Sequence, residues 1–288
     1  MQTTFAFVHG SSSNSFTWTA LQREMTLRGR HSLAVDLPGH GFTGSYPASY
    51  QAPQDLEALA TAPSPLADVS FDDGVEHLAS VLRRAKERGP VVLVAHSRGG
   101  IPVTGVLNAH PELVDHVVYI AAWCCVSSTP PEYAAREENR DSLLADVGGL
   151  LAADPAAIGA IRMNWRTGDE KLLATLKEAM LAEGTDDEFR VFLNSLEPDE
   201  SLDFGGERCR ADRRALDAVP HSYVRLTGDR SIPPALQDLF VAEADALAPD
   251  NPFTVHDLES SHVGFLVRPE GAADVLCGIG DSLRPDGG

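Results

Sequence analysis

The chain has 288 residues, 43% of them hydrophobic and 23% charged, which suits one large α/β domain with an insertion, or two small domains, and excludes a disordered chain. Its 23 basic and 42 acidic residues leave a net charge of −19, an acidic balance that argues against nucleic acid or an anionic membrane as a partner. The longest apolar run, Val117 to Val126, falls well short of the roughly 18–20 residues of a membrane span and reads as a buried strand with its exit.

Strand-like and helix-like segments alternate along the chain. Strands are expected at Thr3–Val8, His31–Asp36, Pro90–Ala95, His116–Ala121, His221–Leu226 and Phe253–Asp257, with helices at Phe16–Arg28, Phe71–Glu87, Gly100–Asn108, Pro234–Leu247 and Glu270–Leu283. The helix after Ser70 is well marked: Ser70 and Asp73 form a capping-box pattern, and Val75, Leu78, Ala79 and Leu82 make an apolar stripe. Arg83, Arg84, Lys86 and Arg88 suit its C-terminal dipole, and Gly89-Pro90 stops it. Such alternation implies a mostly parallel, six-stranded, doubly wound sheet covered on both faces. Gly44 to Asp68 reads as an extended Pro/Ala-rich loop with a short helix at Asp55–Ala60. From Cys124 to Ala218 the patterns are helical or irregular, with stripes Leu172, Leu173, Leu176, Met180 and Phe189, Phe192, Leu193, Leu196. Parallel crossovers usually use short loops and one helix. This stretch therefore reads as a helical cap, residues 123–218, inserted into a core made of 1–122 and 219–288, rather than as further core helices.

Ser97 carries the strongest chemical signal, in the run Val91-Val92-Leu93-Val94-Ala95-His96-Ser97-Arg98-Gly99-Gly100. A buried parallel strand that turns at once into a helix thrusts the serine out at the sheet's carboxyl edge; this is the nucleophile elbow G-x-S-x-G, with Ala95 in place of the first glycine. A serine is a weak nucleophile and needs a base. Of ten histidines, His31, His116, His221 and His256 fall in or at the ends of strands, and His77 and His110 on a helix and a helix end. His96 adjoins Ser97 and is expected to point away from it. His262 lies in Glu259-Ser260-Ser261-His262-Val263-Gly264, just after the last strand and on the carboxyl edge where open sheets bind ligands. It is the candidate base. The acid that orients it is Asp229, at the tip of His221–Leu226, and Ser97…Asp229…His262 follows the chain order of elbow enzymes; an Asx turn or helix cap is the competing use of Asp229. The backbone N–H groups of Arg98 and Ser11 are the candidate oxyanion donors, with Gly10 permitting close approach. The Arg98 side chain reads as a surface salt bridge.

Gly39-His40-Gly41-Phe42-Thr43-Gly44 spells the dinucleotide fingerprint, but Ser45-Tyr46-Pro47 and Pro53 prevent the helix it needs. No P-loop, H-E-x-x-H or Cys/His metal cluster is present, so no cofactor and no metal is expected. Ser12, Trp123, Trp165 and Val263 are the candidate substrate-pocket residues, although Trp123 and Trp165, like Met163 and Phe189, read equally well as cap core. Cys124, Cys125, Cys209 and Cys277 have neither disulfide nor zinc spacing, and Cys124-Cys125 reads as two buried thiols. With no N-x-S/T sequon and no signal-peptide pattern before the first strand, the expected location is the cytoplasm.

Phe7-Val8-His9-Gly10…Trp18, Asp36-Leu37-Pro38-Gly39-His40-Gly41, Ala95-His96-Ser97-Arg98-Gly99-Gly100, Asp229…Ile232-Pro233 and Ser261-His262 together resemble the α/β-hydrolase superfamily. Within it they look most like the plant methylesterase and hydroxynitrile lyase branch and related bacterial hydrolases. The resemblance implies a cofactor-independent serine hydrolase acting on a small-molecule carboxylic ester, with a small methyl ester or a lactone among the candidates. A lyase, cyclase or acyltransferase of secondary metabolism using the same triad is the alternative, as is a non-catalytic ligand receptor; monomer and homodimer both remain open. Gly10 stands where many of the lyases carry threonine or asparagine, and Val263 where some carry lysine, which favours the esterase. The cap is longer than that branch usually has.

Overall fold

The computed structural model describes residues 2–283; the last five positions of the expected core segment 219–288 lie outside them. Six parallel strands, β1 (Thr4–Val8), β2 (His31–Val35), β3 (Val91–His96), β4 (His116–Ile120), β7 (His221–Leu226) and β8 (Thr254–Leu258), form one sheet in the order β2-β1-β3-β4-β7-β8. The intervening labels β5 (Ala160–Arg162) and β6 (Asp199–Ser201) belong to an antiparallel pair in the insertion. The chain starts at β1, steps outward to β2, then crosses back to β3, so the strand order reverses between β1 and β3; a crevice at such a reversal is where open α/β sheets hold their ligands. The loops after β1, β3, β7 and β8 all leave the same sheet edge, because all four strands are parallel.

β1, β3 and β4 are buried along their whole length, which is why they read as continuous apolar runs. Alternate residues serve the two faces. Ala6, Val8, Leu93 and Ala95 join the core under helices Phe71–Lys86, Gly100–Ala109 and Pro234–Leu247. Phe5, Phe7, Val92 and Val94 join the core under helices Thr19–Leu27 and Glu270–Ser282. The capping box expected at Ser70 forms: Ser70 N–H donates to Asp73 Oδ2 at 2.9 Å, and Asp73 N–H donates to Ser70 Oγ at 3.2 Å. The short loop helix runs Leu56–Thr61, with Asp55 capping it.

The stretch between β4 and β7 carries helices Pro130–Ala134, Pro155–Ile158, Glu170–Met180, Asp186–Ser195 and Arg213–Ala218. Both expected stripes face inward, and Leu176, Phe189, Phe192, Leu193 and Leu196 are continuous with the Phe5/Phe7 core. The β5–β6 pair is a departure from the helical or irregular expectation. Three-residue strands bearing Arg162, Asp199 and Glu200 show no period-2 pattern. They are tied instead by a buried ion pair, Arg162 Nε and Nη2 donating to Asp199 Oδ1 and Oδ2, each at 2.6 Å. Arg162 Nη1 also reaches the carbonyls of Leu59 and Ala62, and Ser64 Oγ donates to Asp199 at 2.7 Å. One buried arginine thus fastens the Gly44–Asp68 loop to the insertion, with its polar valences filled, as a buried charge requires.

Candidate active site

β3 delivers Ser97 to the carboxyl edge, and the chain turns there through a left-handed residue, Ser97 φ 54°. A non-glycine residue in that region costs about 1–3 kcal/mol and persists where its surroundings hold it. Here Ser97 C=O accepts the N–H of Trp123 at 3.0 Å. Gly99 lets the new helix sit directly on the end of β1, since a Cβ there would lie 2.6 Å from His9 O and 2.7 Å from Val8 O. Ala95, where the elbow motif has glycine, is buried between Val8 and Tyr119 in the sheet and joins the core. Its methyl group therefore fills core space away from the turn.

Asp229 and His262 meet across the ends of β7 and β8. His262 Nδ1 lies 2.7 Å from Asp229 Oδ2, and both side chains are buried. The other carboxylate oxygen, Oδ1, accepts the N–H groups of Ser231 at 2.7 Å and Ile232 at 3.0 Å. Asx turn and histidine contact therefore coexist, one on each oxygen. Gln237, fully buried, stiffens this turn by donating to Leu226 O and Ile232 O and accepting Leu226 N–H. The insertion presses on the same loops: Val263 N–H and Ser261 Oγ donate to Met180 O, and Ser261 N–H donates to Glu183 Oε1 at 3.0 Å.

His96, at the strand end next to Ser97, belongs to the surroundings of His262. Its ring packs on that of His262 at 4.6 Å between centroids, with Nε2 at 3.0 Å from His262 O. Strand alternation sends His96 to the face opposite Ala95, and the His262 loop dips onto that same face beside Trp18 and Phe265. Burial, and then the neighbouring His262, push the His96 imidazole well below its ordinary pKa, so it stays neutral. Gly10 closes against Ser97 and His96, because a Cβ there would lie 2.8 Å from Ser97 Cβ and 3.5 Å from His96 Nδ1.

The loop after β1 is held with equal care. Leu37 N–H donates to His9 Nε2 at 3.1 Å, so the ring proton belongs on Nδ1, which faces Gly10 O at 2.9 Å. Burial and then His40 lower the His9 pKa to about 4, in keeping with a neutral ring. The Gly10 carbonyl and the Ser11 N–H belong to one planar peptide unit, so fixing the first aims the second. Ser11 itself is exposed, while Ser12 is buried and left-handed, φ 54°.

The Arg98 side chain does not form the expected surface salt bridge. It is largely buried, with Nε 3.5 Å from Glu200 Oε1, Nη2 donating to Ser201 O at 2.7 Å, and its guanidinium over the Phe204 ring. Glu200 sits 3.5 Å from His40 Nε2, and His40 Nδ1 lies 2.7 Å from Glu197 Oε2. Burial opposes the His40 imidazolium, but Glu200 and Glu197 outweigh it and raise its pKa to about 10. Burial likewise opposes the Glu200 carboxylate, and Arg98 and His40 nevertheless hold it well below the usual range. Sequence reading missed Glu197, Glu200, His40, Asn14 and Glu183. Glu197 and Glu200 look like solvated acids because their partners stand far away in the chain.

Of the four pocket candidates, Trp123 packs on Phe240 and Trp165 donates its indole N–H to Glu197 O at 2.8 Å. Val263 is buried beside Phe192 and Leu266, and Ser12 gives its N–H to Glu200. The glycines of Gly39–Gly44 lead into a single 3-10 turn, Gly41–Thr43, and Gly41 N–H is taken by Glu197 Oε1 at 2.8 Å.

A family model described as "Alpha/beta hydrolase family" matches residues 5–275. Methylesterase 18 of Arabidopsis thaliana is 23% identical over 286 residues, covering 98% of each chain. A pyrethroid hydrolase of Sphingobium wenxiniae is 23% identical over 282 residues, covering 97% of this chain and 88% of its own. A crystal structure of a pyrethroid hydrolase superposes with a TM-score of 0.72 at 20% identity, covering 98% of both chains.

Proposed function

This chain belongs to the alpha/beta hydrolase family, and from that premise we propose that it is a cofactor-independent serine hydrolase that cleaves a carboxylic ester. The observation that carries the reading is the buried Asp229–His262 hydrogen bond, 2.7 Å long, on the sheet edge where the left-handed Ser97 emerges. In this mechanism His262 Nε2 takes the Ser97 hydroxyl proton as Oγ attacks the ester carbonyl carbon. The carbonyl π electrons move onto oxygen, and the N–H groups of Ser11 and Arg98 hold that oxyanion. As the intermediate collapses, His262 gives its proton to the leaving alcohol, and an acyl-Ser97 remains. His262 then takes a proton from water, whose oxygen attacks the acyl carbon; collapse returns that proton to Ser97 and frees the acid. Asp229 keeps its negative charge, fixes the His262 tautomer and stabilises the imidazolium.

The names of the two curated relatives, a methylesterase and a pyrethroid hydrolase, support ester cleavage and make a small methyl ester the first substrate to try. Gly10 and Val263 support it too, standing where the lyases that the chain resembles carry polar groups. The insertion 123–218 serves as the cap in this reading, with Ser12, Trp123, Trp165 and Val263 bordering the acyl or alcohol group. A cytoplasmic setting fits the free thiols of Cys124, Cys125, Cys209 and Cys277. The test is a panel of esters varied in acyl and alcohol size, run with Ser97→Ala as the control. We expect turnover by the wild type and a loss of about 10⁴-fold or more in the variant; full activity of the folded variant would sink the assignment of Ser97.

A further inference from the structure

Glu197, just before β6, and Glu200, within β6, grip the loop after β1 at a single residue. Ser12 C=O accepts Glu197 N–H at 2.7 Å, and Ser12 N–H donates to Glu200 Oε2 at 2.9 Å. Ser12 is therefore held at both of its main-chain polar groups, in a left-handed conformation, immediately after the residue that offers the Ser11 oxyanion donor. Glu200 uses its other oxygen, Oε1, to face Arg98 Nε and His40 Nε2, both at 3.5 Å. Arg98 supplies the second oxyanion donor from its main chain. One carboxylate from the insertion thus touches a neighbour of the first donor and the side chain of the second.

We propose that Glu200 is a positioning residue for the oxyanion hole, clamping the Ser11 loop and Arg98 in register so that closing the insertion onto the core completes the site. Asn14 and Gly41 add to the clamp, donating to Glu197 Oε1 at 2.9 and 2.8 Å. The four charges, Arg98 and His40 against Glu197 and Glu200, balance, so the joint holds its geometry without burying net charge. Donors fixed in advance are what lower the barrier, because they need no reorganisation as the oxyanion forms. The proposal rests on the ester-hydrolase reading.

Glu200→Gln keeps the side chain's shape and removes its charge. The measurements are kcat and KM on the best ester of the panel, and amide hydrogen exchange of the Gly10–Asn14 segment by mass spectrometry. We expect kcat to fall about 10–100-fold with KM within about threefold, and that segment to exchange faster; Glu200→Asp, charged but one methylene shorter, should lie between wild type and Gln. If the Gln variant does not fold, the Asp variant is read in the same two ways. An unchanged kcat in the folded variant, or a reduced kcat with unchanged exchange in Gly10–Asn14, overturns the clamp. If the wild type cleaves no ester, the exchange comparison still decides: faster exchange supports the clamp while the ester reading fails, and unchanged exchange removes the clamp itself.

Discussion

On one side of Ser97, Asp229 and His262 are held by short-range hydrogen bonds, the Asx turn to Ser231 and Ile232 and the Gln237 bracket, to which the insertion adds main-chain carbonyls at Ala179 and Met180. On the other side, the loop that carries Ser11 and the side chain of Arg98 are held by buried charges, two from the core and two from the insertion. The first arrangement has a local centre, the Asp229 turn, and its links to Ala179 and Met180 are main-chain acceptors that carry no charge. The second joins segments far apart in the chain, and each member left alone would be an unpaired buried charge, which is strongly destabilising. The insertion therefore touches both sides, but only beside Ser11 and Arg98 does it contribute buried charges, Glu197 and Glu200, whose loss would strand a partner.

The largest effect that could break this contrast belongs to the histidine side. Asp229→Asn should keep the Oδ1 turn and the fold, yet lower kcat by about 10⁴-fold, because an amide NH₂ facing Nδ1 imposes the wrong tautomer on His262. Steady-state kinetics beside a thermal melt would separate the two; a large drop in Tm would mean that this side also carries stability. In the buried ion pair next to the charged cluster, Asp199→Ala strands the fully buried Arg162 and should cost about 3–5 kcal/mol of unfolding free energy. Urea denaturation that returned less than about 1 kcal/mol would show that a buried charge of the insertion can lose its partner cheaply, and would weaken the contrast drawn from the neighbouring cluster.

The smallest expected effect is on acid stability. His9 and His116 both have pKa values lowered from 6.5 to about 4, burial being the chief cause in each. Between those values the unfolded chain binds a proton that the folded chain refuses. Stability therefore falls on acidification through that window, by about 1.4 kcal/mol per pH unit for each histidine at most. His40, with its pKa raised to about 10, is protonated in the folded state throughout this window. The unfolded chain gains that proton below about 6.5, so the contribution of His40 is fully present there and is lost as pH rises through its folded value. Denaturation at several pH values should show the acid slope, and His9→Asn should flatten it; an unchanged slope would mean that His9 is already protonated in the folded chain.

Much of this molecule is written locally. The strands follow from apolar runs, the Phe71–Lys86 helix from its cap and stripe, and the Asp229 and His262 loops from their places just after strands. Parallel pairing then carries those strand ends to one edge, so a position in the chain translates directly into a position in the site. The side chains that surround Ser97 followed another rule. His96 turned toward His262 because a loop from beyond β8 folds onto its face of the sheet. Arg98 found Glu200 across more than a hundred residues, and β5 and β6 are held as a pair by Arg162 and Asp199 rather than by any periodic pattern. A charged side chain carries no mark of its partner in its own neighbourhood. The residue types of the site and their order were thus set by the sequence itself, while the packing of the insertion on the core decided which charges meet.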